Sequence, residues 1–196
     1  MEQLLTNLAL NFDLPVLDWI AEHIANPFLD TVMPLITLLG DAGIFWIAVA
    51  VILLCIPQYR KTGLAMGAAL ILGLIVCNAA MKPLIARPRP YDFQFTHFGK
   101  TVELLVSTPH DFSFPSGHTL ASFEAATALL IRSKKLGIPA MILACLIAFS
   151  RLYLYVHYPT DVLFSVAMGI GFGFLGTYLV DKGLSACPKK HFFKED

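Results

Sequence analysis

Residues 137–161 read GIPAMILACLIAFSRLYLYVHYPTD. From Gly137 to Val156 the run carries one charged side chain, Arg151, and it is followed at once by His157, Pro159 and Asp161. A helix rises about 1.5 Å per residue, so about 20 apolar residues cross a hydrocarbon core of roughly 30 Å. This stretch therefore reads as a membrane-spanning helix with polar chemistry gathered at one end. Three other runs come close in length and character: Thr62–Met81, Gly117–Ile131 and Val162–Val180. Ala42–Ile56 is shorter but uninterrupted, and Phe28–Leu39 is apolar apart from Asp30 and Thr31, with Gly40-Asp41 marking a turn after it.

The predicted fold is an all-α integral membrane protein, a six-helix transmembrane bundle preceded by an interfacial amphipathic helix. A soluble domain has about 25% charged residues, whereas this chain has 14%, with 57% hydrophobic. A single domain over 1–196 accounts for the length: an interfacial helix at 1–27, the bundle at 28–182 and a cytoplasmic tail at 183–196. The segment Leu4–Phe28 mixes Leu, Phe and Trp19 with Asn11, Asp13, Asp18 and Glu22, a pattern suited to lying in the interface. No Lys or Arg precedes Arg60, so a basic secretory signal is not expected. Cys55, Cys77, Cys145 and Cys187 show neither metal nor redox spacing. The net charge of zero argues against nucleic acid as a partner.

Basic residues set the orientation. Arg60, Lys61, Arg132, Lys134, Lys135, Lys182, Lys189, Lys190 and Lys194 fall on one side of the predicted bundle, which the positive-inside rule makes cytoplasmic. Lys82, Arg87, Arg89, Lys100 and Arg151 fall on the other. Membrane insertion gives no reason for cations there; an anionic ligand does. Three clusters meet at that outer depth. Lys82 begins Lys82-Pro83-Leu84-Ile85-Ala86-Arg87-Pro88-Arg89-Pro90, Pro115-Ser116-Gly117-His118 opens a span, and Ser150-Arg151, His157 and Asp161 surround the end of another.

With these residues in place, the chain resembles the type 2 phosphatidic acid phosphatase superfamily of membrane lipid phosphatases. Its three-part signature reads here as Lys82…Arg89-Pro90, Pro115-Ser116-Gly117-His118 and Ser150-Arg151…His157…Asp161, with every specified position filled. The resemblance implies phosphoryl transfer through a phosphohistidine on His157, with His118 as acid and base and without metal or cofactor.

The residue types suit that chemistry independently. Arg presents a fork matching phosphate oxygens and Lys a compact charge, so Lys82, Arg89 and Arg151 can cradle a phosphate. Ser116 and Gly117 stand where a helix begins, with free N–H groups and the positive dipole end; Ser116 also suits an N-cap. Asp161 is the expected acceptor for the second ring N–H of His157, and His118 is placed to protonate a leaving oxygen. Ser150 and Pro115 complete the signature. Glu124 lies about four-fifths of two turns below His118, roughly 9 Å deeper, and is either a structural hydrogen-bonder, with Asn78 as a candidate partner, or a group tuning the site from below. Arg87 falls outside the signature and reads as solvated; Tyr91, Phe93, Phe112 and Phe114 either line an entrance or serve as interfacial aromatics.

The expected substrate is a lipid phosphate that reaches an outward-facing site from within the cell membrane. The resemblance points first to undecaprenyl diphosphate, cleaved to undecaprenyl phosphate and inorganic phosphate, then to phosphatidylglycerol phosphate and phosphatidic acid. A non-catalytic lipid-phosphate transporter or binding protein is the reading from another class. It leaves the acid–base pair His118 and His157 without a purpose.

Overall fold

The computed structural model describes Glu2–Ala186, and every regular element among these residues is a helix. Most of the tail expected at 183–196, with Cys187 and the last three lysines, lies outside the described residues. Helices α1 (Glu2–Leu8) and α2 (Leu14–His23) are joined by a π turn, Ala9–Asp13, through continuous helical backbone. Pro15 lacks an N–H and crowds the carbonyl one turn back; a wider turn just ahead of it relieves that clash.

Helix α3 (Pro27–Leu38) starts sharply, because Asn26 Oδ1 accepts from the N–H of Phe28 and of Leu29 at 3.1 Å each and Pro27 occupies the first turn. Left-handed backbone at Ala42 (φ 49°) and Gly43 (φ 66°) breaks the apolar stretch before α4 (Ile44–Cys55). Next come α5 (Arg60–Gly73), extended by a π segment at Leu74–Met81, and short α6 (Lys82–Ile85). Helix α7 (Pro90–Phe98) lies in the proline-rich connection that follows. Its start at Pro90 and its stop at left-handed Gly99 are ordinary helix punctuation, hidden in a proline-rich stretch. Helices α8 (Gly117–Arg132), α9 (Lys134–Tyr153) and α10 (Pro159–Ala186) complete the chain.

Among the described residues four stretches are long and apolar enough to cross a membrane: Pro27–Cys55, Pro57–Phe98, Lys134–Tyr153 and Pro159–Ala186. Ile47, Val51, Ile71, Ile142, Leu163 and Phe174 each expose half or more of their surface, an apolar exterior that suits hydrocarbon and not water. Helix α8 sits in the middle, packed on α5, α9 and α10. Small residues allow the close approach: a Cβ at Gly169 would stand 2.8 Å from that of Phe123, and one at Gly173 2.5 Å from that of Thr127.

The span expected at Phe28–Leu39 falls in α3, within the apolar stretch Pro27–Cys55. At its start the N–H of Asn26 and the carboxylate of Asp30 bond the hydroxyl of Tyr153, while near its end Thr37 accepts from Arg151. Tyr153 and Arg151 share the last turn of α9, so both ends of α3 bond side chains from one turn of that helix. The sequence offers only an apolar run here, and a run of 12 residues suits a helix lying along the bundle as well as one crossing it.

Candidate functional site

Five pieces of chain converge at one end of the bundle. The π segment and α6 carry Lys82; Ala86, in left-handed conformation (φ 47°), turns the chain so that Arg87 and Arg89 run back across the helix ends. Helix α8 begins with Gly117 and His118, α9 ends just after Arg151, and a tight turn through Tyr155 (φ 59°) presents His157 before α10 starts. Lys82, Arg89, Gly117, His118, Arg151 and His157 border one cavity of about 930 Å³. Asp161, Ser116 and Ser150 are fully buried behind this wall. Ser150 donates to the carbonyl of Ile147 at 2.6 Å, a bond within its own helix, and Pro115 follows Phe114 through a cis peptide bond.

His157 is buried, with its Nε2 3.3 Å from Nη1 of Arg89. A guanidinium only donates, so this contact requires a lone pair on Nε2 and places the ring proton on Nδ1. Burial first, then the charges of Arg89 and Arg151, hold the imidazole well below the usual histidine range. The ring is therefore neutral, with the lone pair of Nε2 among cations. Nδ1 lies 3.6 Å from Asp161 Oδ2, beyond a direct hydrogen bond. The expected contact is instead shared with Ser113, whose hydroxyl sits 3.5 Å from Nδ1 and donates to Asp161 Oδ2 at 2.5 Å.

His118 pairs with Asp41, Nε2 to Oδ1 at 2.7 Å. A carboxylate only accepts, so Nε2 carries a proton and Nδ1 is the nitrogen left to exchange one with a substrate. Gly40 makes the approach possible, since a Cβ there would meet the His118 ring at 2.6 Å. Asp41 looks like a turn marker in the sequence; only the fold brings it to His118.

Among the cations, Arg89 donates Nη1 to the Val156 carbonyl (2.7 Å), Nε to the Asp111 carbonyl (2.8 Å) and Nη2 to Asp111 Oδ1 (2.5 Å). Lys82 donates to the other oxygen of Asp111. Burial would raise the Asp111 carboxyl, but the hydrogen bonds and charges of Lys82 and Arg89 outweigh it and hold the group well below the usual carboxylate range. Asp111 thus places an anion on two of the three cations suited to phosphate. Asp111→Asn should free them and tighten inhibition by inorganic phosphate by roughly threefold or more, a modest gain because exposed ion pairs are weak. Weaker inhibition would show that Asp111 aligns the cations and does not compete for them. Arg151 donates to Thr37 at 2.5 Å, and its Nε has no hydrogen-bond partner among the described residues.

Other expectations change. The N–H of Ser116 is taken by Ser165 Oγ at 2.9 Å, and its hydroxyl pairs with Thr119 at 3.0 Å without capping α8, so anion contacts from this turn fall to Gly117 and His118. Arg87 is not solvated: it is 2% exposed, donates to Asp13 (2.6 Å) and Asp161 (2.5 Å), and stacks 3.7 Å over the Tyr158 ring. Glu124 borders the cavity, yet its Oε1 and the Oδ1 of Asn78 both lack a hydrogen-bond partner, so the expected pairing is not made through these atoms. Phe93 is buried against the N-terminal segment, Phe114 packs on Phe164, and Tyr91 donates to the Pro109 carbonyl at 2.6 Å; none of them borders the cavity. Among the described residues no group of three His, Cys, Asp or Glu is placed to hold a metal ion.

Such an arrangement can bind a phosphoryl group by cations and helix N–H groups, attack it in line from Nε2 and supply a proton from the opposite imidazole. Comparison with known proteins adds four findings. The sequence model of the PAP2 superfamily matches residues 62–184. The chain is 35% identical over 150 residues to undecaprenyl-diphosphatase BcrC of Bacillus subtilis (strain 168), covering 76% of this chain and 74% of that one. An undecaprenyl-diphosphatase of Sulfolobus acidocaldarius is 33% identical over 139 residues, 70% of this chain and 65% of the relative. Of solved structures, Aquifex aeolicus LpxE superposes with a TM-score of 0.71 at 25% identity, over 85% of this chain and 94% of that one.

Proposed function

Because this chain belongs to the PAP2 superfamily, we propose that it hydrolyses a long-chain lipid diphosphate, undecaprenyl diphosphate first, to the monophosphate and inorganic phosphate. The carrying observation is the shape of the cavity. Its polar end holds Lys82, Arg89, His118, Arg151 and His157, and the same space continues between α3, α4 and α5 along Leu38, Ile47, Val51, Leu70, Ile71 and Leu74. A headgroup at the cations and a tail along this groove satisfy both surfaces, and a substrate can slide in from the bilayer.

Lys82, Arg89, Arg151 and the Gly117 N–H hold the terminal phosphoryl oxygens, displacing Asp111. His157 Nε2 forms a bond to phosphorus as the bond to the bridging oxygen breaks, and His118, entering as an imidazolium with Nε2–H held by Asp41, gives its Nδ1 proton to the departing lipid phosphate. The same imidazole then takes a proton from water, whose oxygen attacks the phosphohistidine and releases inorganic phosphate.

The test is phosphate release by purified protein from a panel of undecaprenyl diphosphate, phosphatidylglycerol phosphate and phosphatidic acid, with and without EDTA. Fastest release from the diphosphate, undiminished by chelation, is expected. Preference for a glycerophospholipid would reassign the substrate, and loss on chelation restored by a divalent ion would contradict the mechanism.

In the membrane we place five crossings, α4, α5 with its π segment, α8, α9 and α10, with α1–α3 on the same outer side as the site. Asn7 is exposed in α1, and Lys134 stands at the opposite end. In a background without native cysteines, Asn7→Cys should react with an impermeant thiol reagent in intact cells, and Lys134→Cys only after lysis. A protected Asn7→Cys would put the N-terminus inside and restore a sixth crossing.

A further inference from the structure

The family match begins at residue 62, yet a residue far ahead of it reaches the site. Asp13 closes the π turn at Ala9–Asp13 and is fully buried. Its Oδ2 accepts from Arg87 Nη2 at 2.6 Å and from the Thr160 hydroxyl at 2.8 Å, and its Oδ1 from the Thr160 N–H at 2.9 Å. The other arm of Arg87 donates to Asp161 Oδ1 at 2.5 Å, and Asp161 Oδ2 faces His157 Nδ1 at 3.6 Å. Ala9, Leu14 and Leu17 fix the turn by packing against Phe93, Tyr155 and Tyr158, and Tyr155 donates to Asp18 at 2.7 Å.

Buried charges are costly unless paired, and this chain of three is not neutral. Asp13 and Asp161 each bring one negative charge and Arg87 one positive, leaving one negative charge directed at His157. We propose that Asp13 is a positioning residue for the reaction, engaging Arg87 so that Asp161 keeps its charge and orientation for His157. The inference rests on the reading of His157 as nucleophile. As Nε2 bonds to phosphorus and the P–O bond to the leaving oxygen breaks, the ring gains positive charge while Nδ1 keeps its proton. The surplus negative charge offsets that gain. Without the Asp13 carboxylate, Arg87 draws Asp161 to itself and the group is neutral at the moment the ring becomes cationic.

The N-terminal helices are then part of the catalytic unit and not only a membrane anchor. Asp13→Asn keeps the shape and removes the charge. It should lower kcat by about 10–100-fold, the range of a lost transition-state interaction, with KM and the inhibition constant of inorganic phosphate unchanged within about threefold. In an Arg87→Gln background the same change should alter kcat by less than about twofold, because Asp13 no longer communicates with Asp161.

Wild-type kcat in folded Asp13→Asn overturns the proposal, as does a loss carried by KM or by phosphate affinity. Should Asp13→Asn not be recovered folded, Asp13→Ser, which also removes the charge, decides by the same readouts; a further tenfold fall in the double variant relative to Arg87→Gln would overturn the proposal by showing that Asp13 acts through some other contact, such as Thr160. A wild-type protein that turns over lipid diphosphate without labelling His157 would instead remove the reading on which the inference stands.

Discussion

Replacing His157 by alanine should abolish turnover, a fall on the order of 10⁴-fold or more as for other nucleophiles removed from a working site, while leaving the protein folded in its membrane. The imidazole is held by a short turn and by Arg89 and Ser113, and the bonds of Arg89 to Val156 and Asp111 survive its loss. What disappears is the nitrogen aimed into the cationic end of the cavity. The same surroundings set the pH dependence. Burial and the neighbouring cations keep His157 neutral, so activity that needs the neutral ring is present above its lowered pKa and is lost only as the pH falls well below the usual histidine range. Substantial activity in a folded His157→Ala protein, measured as phosphate release in detergent, would end the assignment.

His118→Ala should be the second large effect, with kcat down by about 10²–10⁴-fold for lost acid–base catalysis and little change in KM. Its bond to Asp41 orients the ring without adding a charge to the phosphate cradle, so substrate binding does not depend on it. The size of the loss depends on the leaving group. A lipid phosphate leaving from a diphosphate is a weak base, whereas the alkoxide leaving from phosphatidic acid must be protonated. The defect should accordingly be smaller on the diphosphate. Equal losses on both, with product release shown not to limit the rate, would remove His118 from the role of proton donor.

The sequence shows the bundle and the reactive residues because both depend on local pattern. Apolar runs mark α4, α9 and α10, and Pro115-Ser116-Gly117-His118 names its own helix start. The supporting residues depend on partners distant in the chain. Asp13 looks like one polar residue of an amphipathic helix; its value comes from Arg87, 74 residues away. Asp41 meets His118 across 77 residues, and Arg151 meets Thr37 across 114. Arg87, read as solvated, carried a hint: an arginine outside the signature, on the face opposite the main cluster of basic residues, needs a carboxylate. Asp111 and Ser113, just ahead of Pro115, carried no hint, since a loop acid and a loop serine are the commonest of surface residues. The apolar run at Phe28–Leu39 does not decide its own placement, for a different reason. Hydrophobicity reports that a helix meets lipid or core, and it does not report the helix's direction.

The covalent intermediate provides the most direct measurement. His118→Ala protein, in which release of the intermediate by water is slowed, should be mixed with undecaprenyl diphosphate radiolabelled in its terminal phosphate and quenched in alkali. The account predicts label on the peptide containing His157, stable in base and lost in acid, and none when His157→Ala is added. Turnover without protein-bound label, or label on another residue, would contradict it.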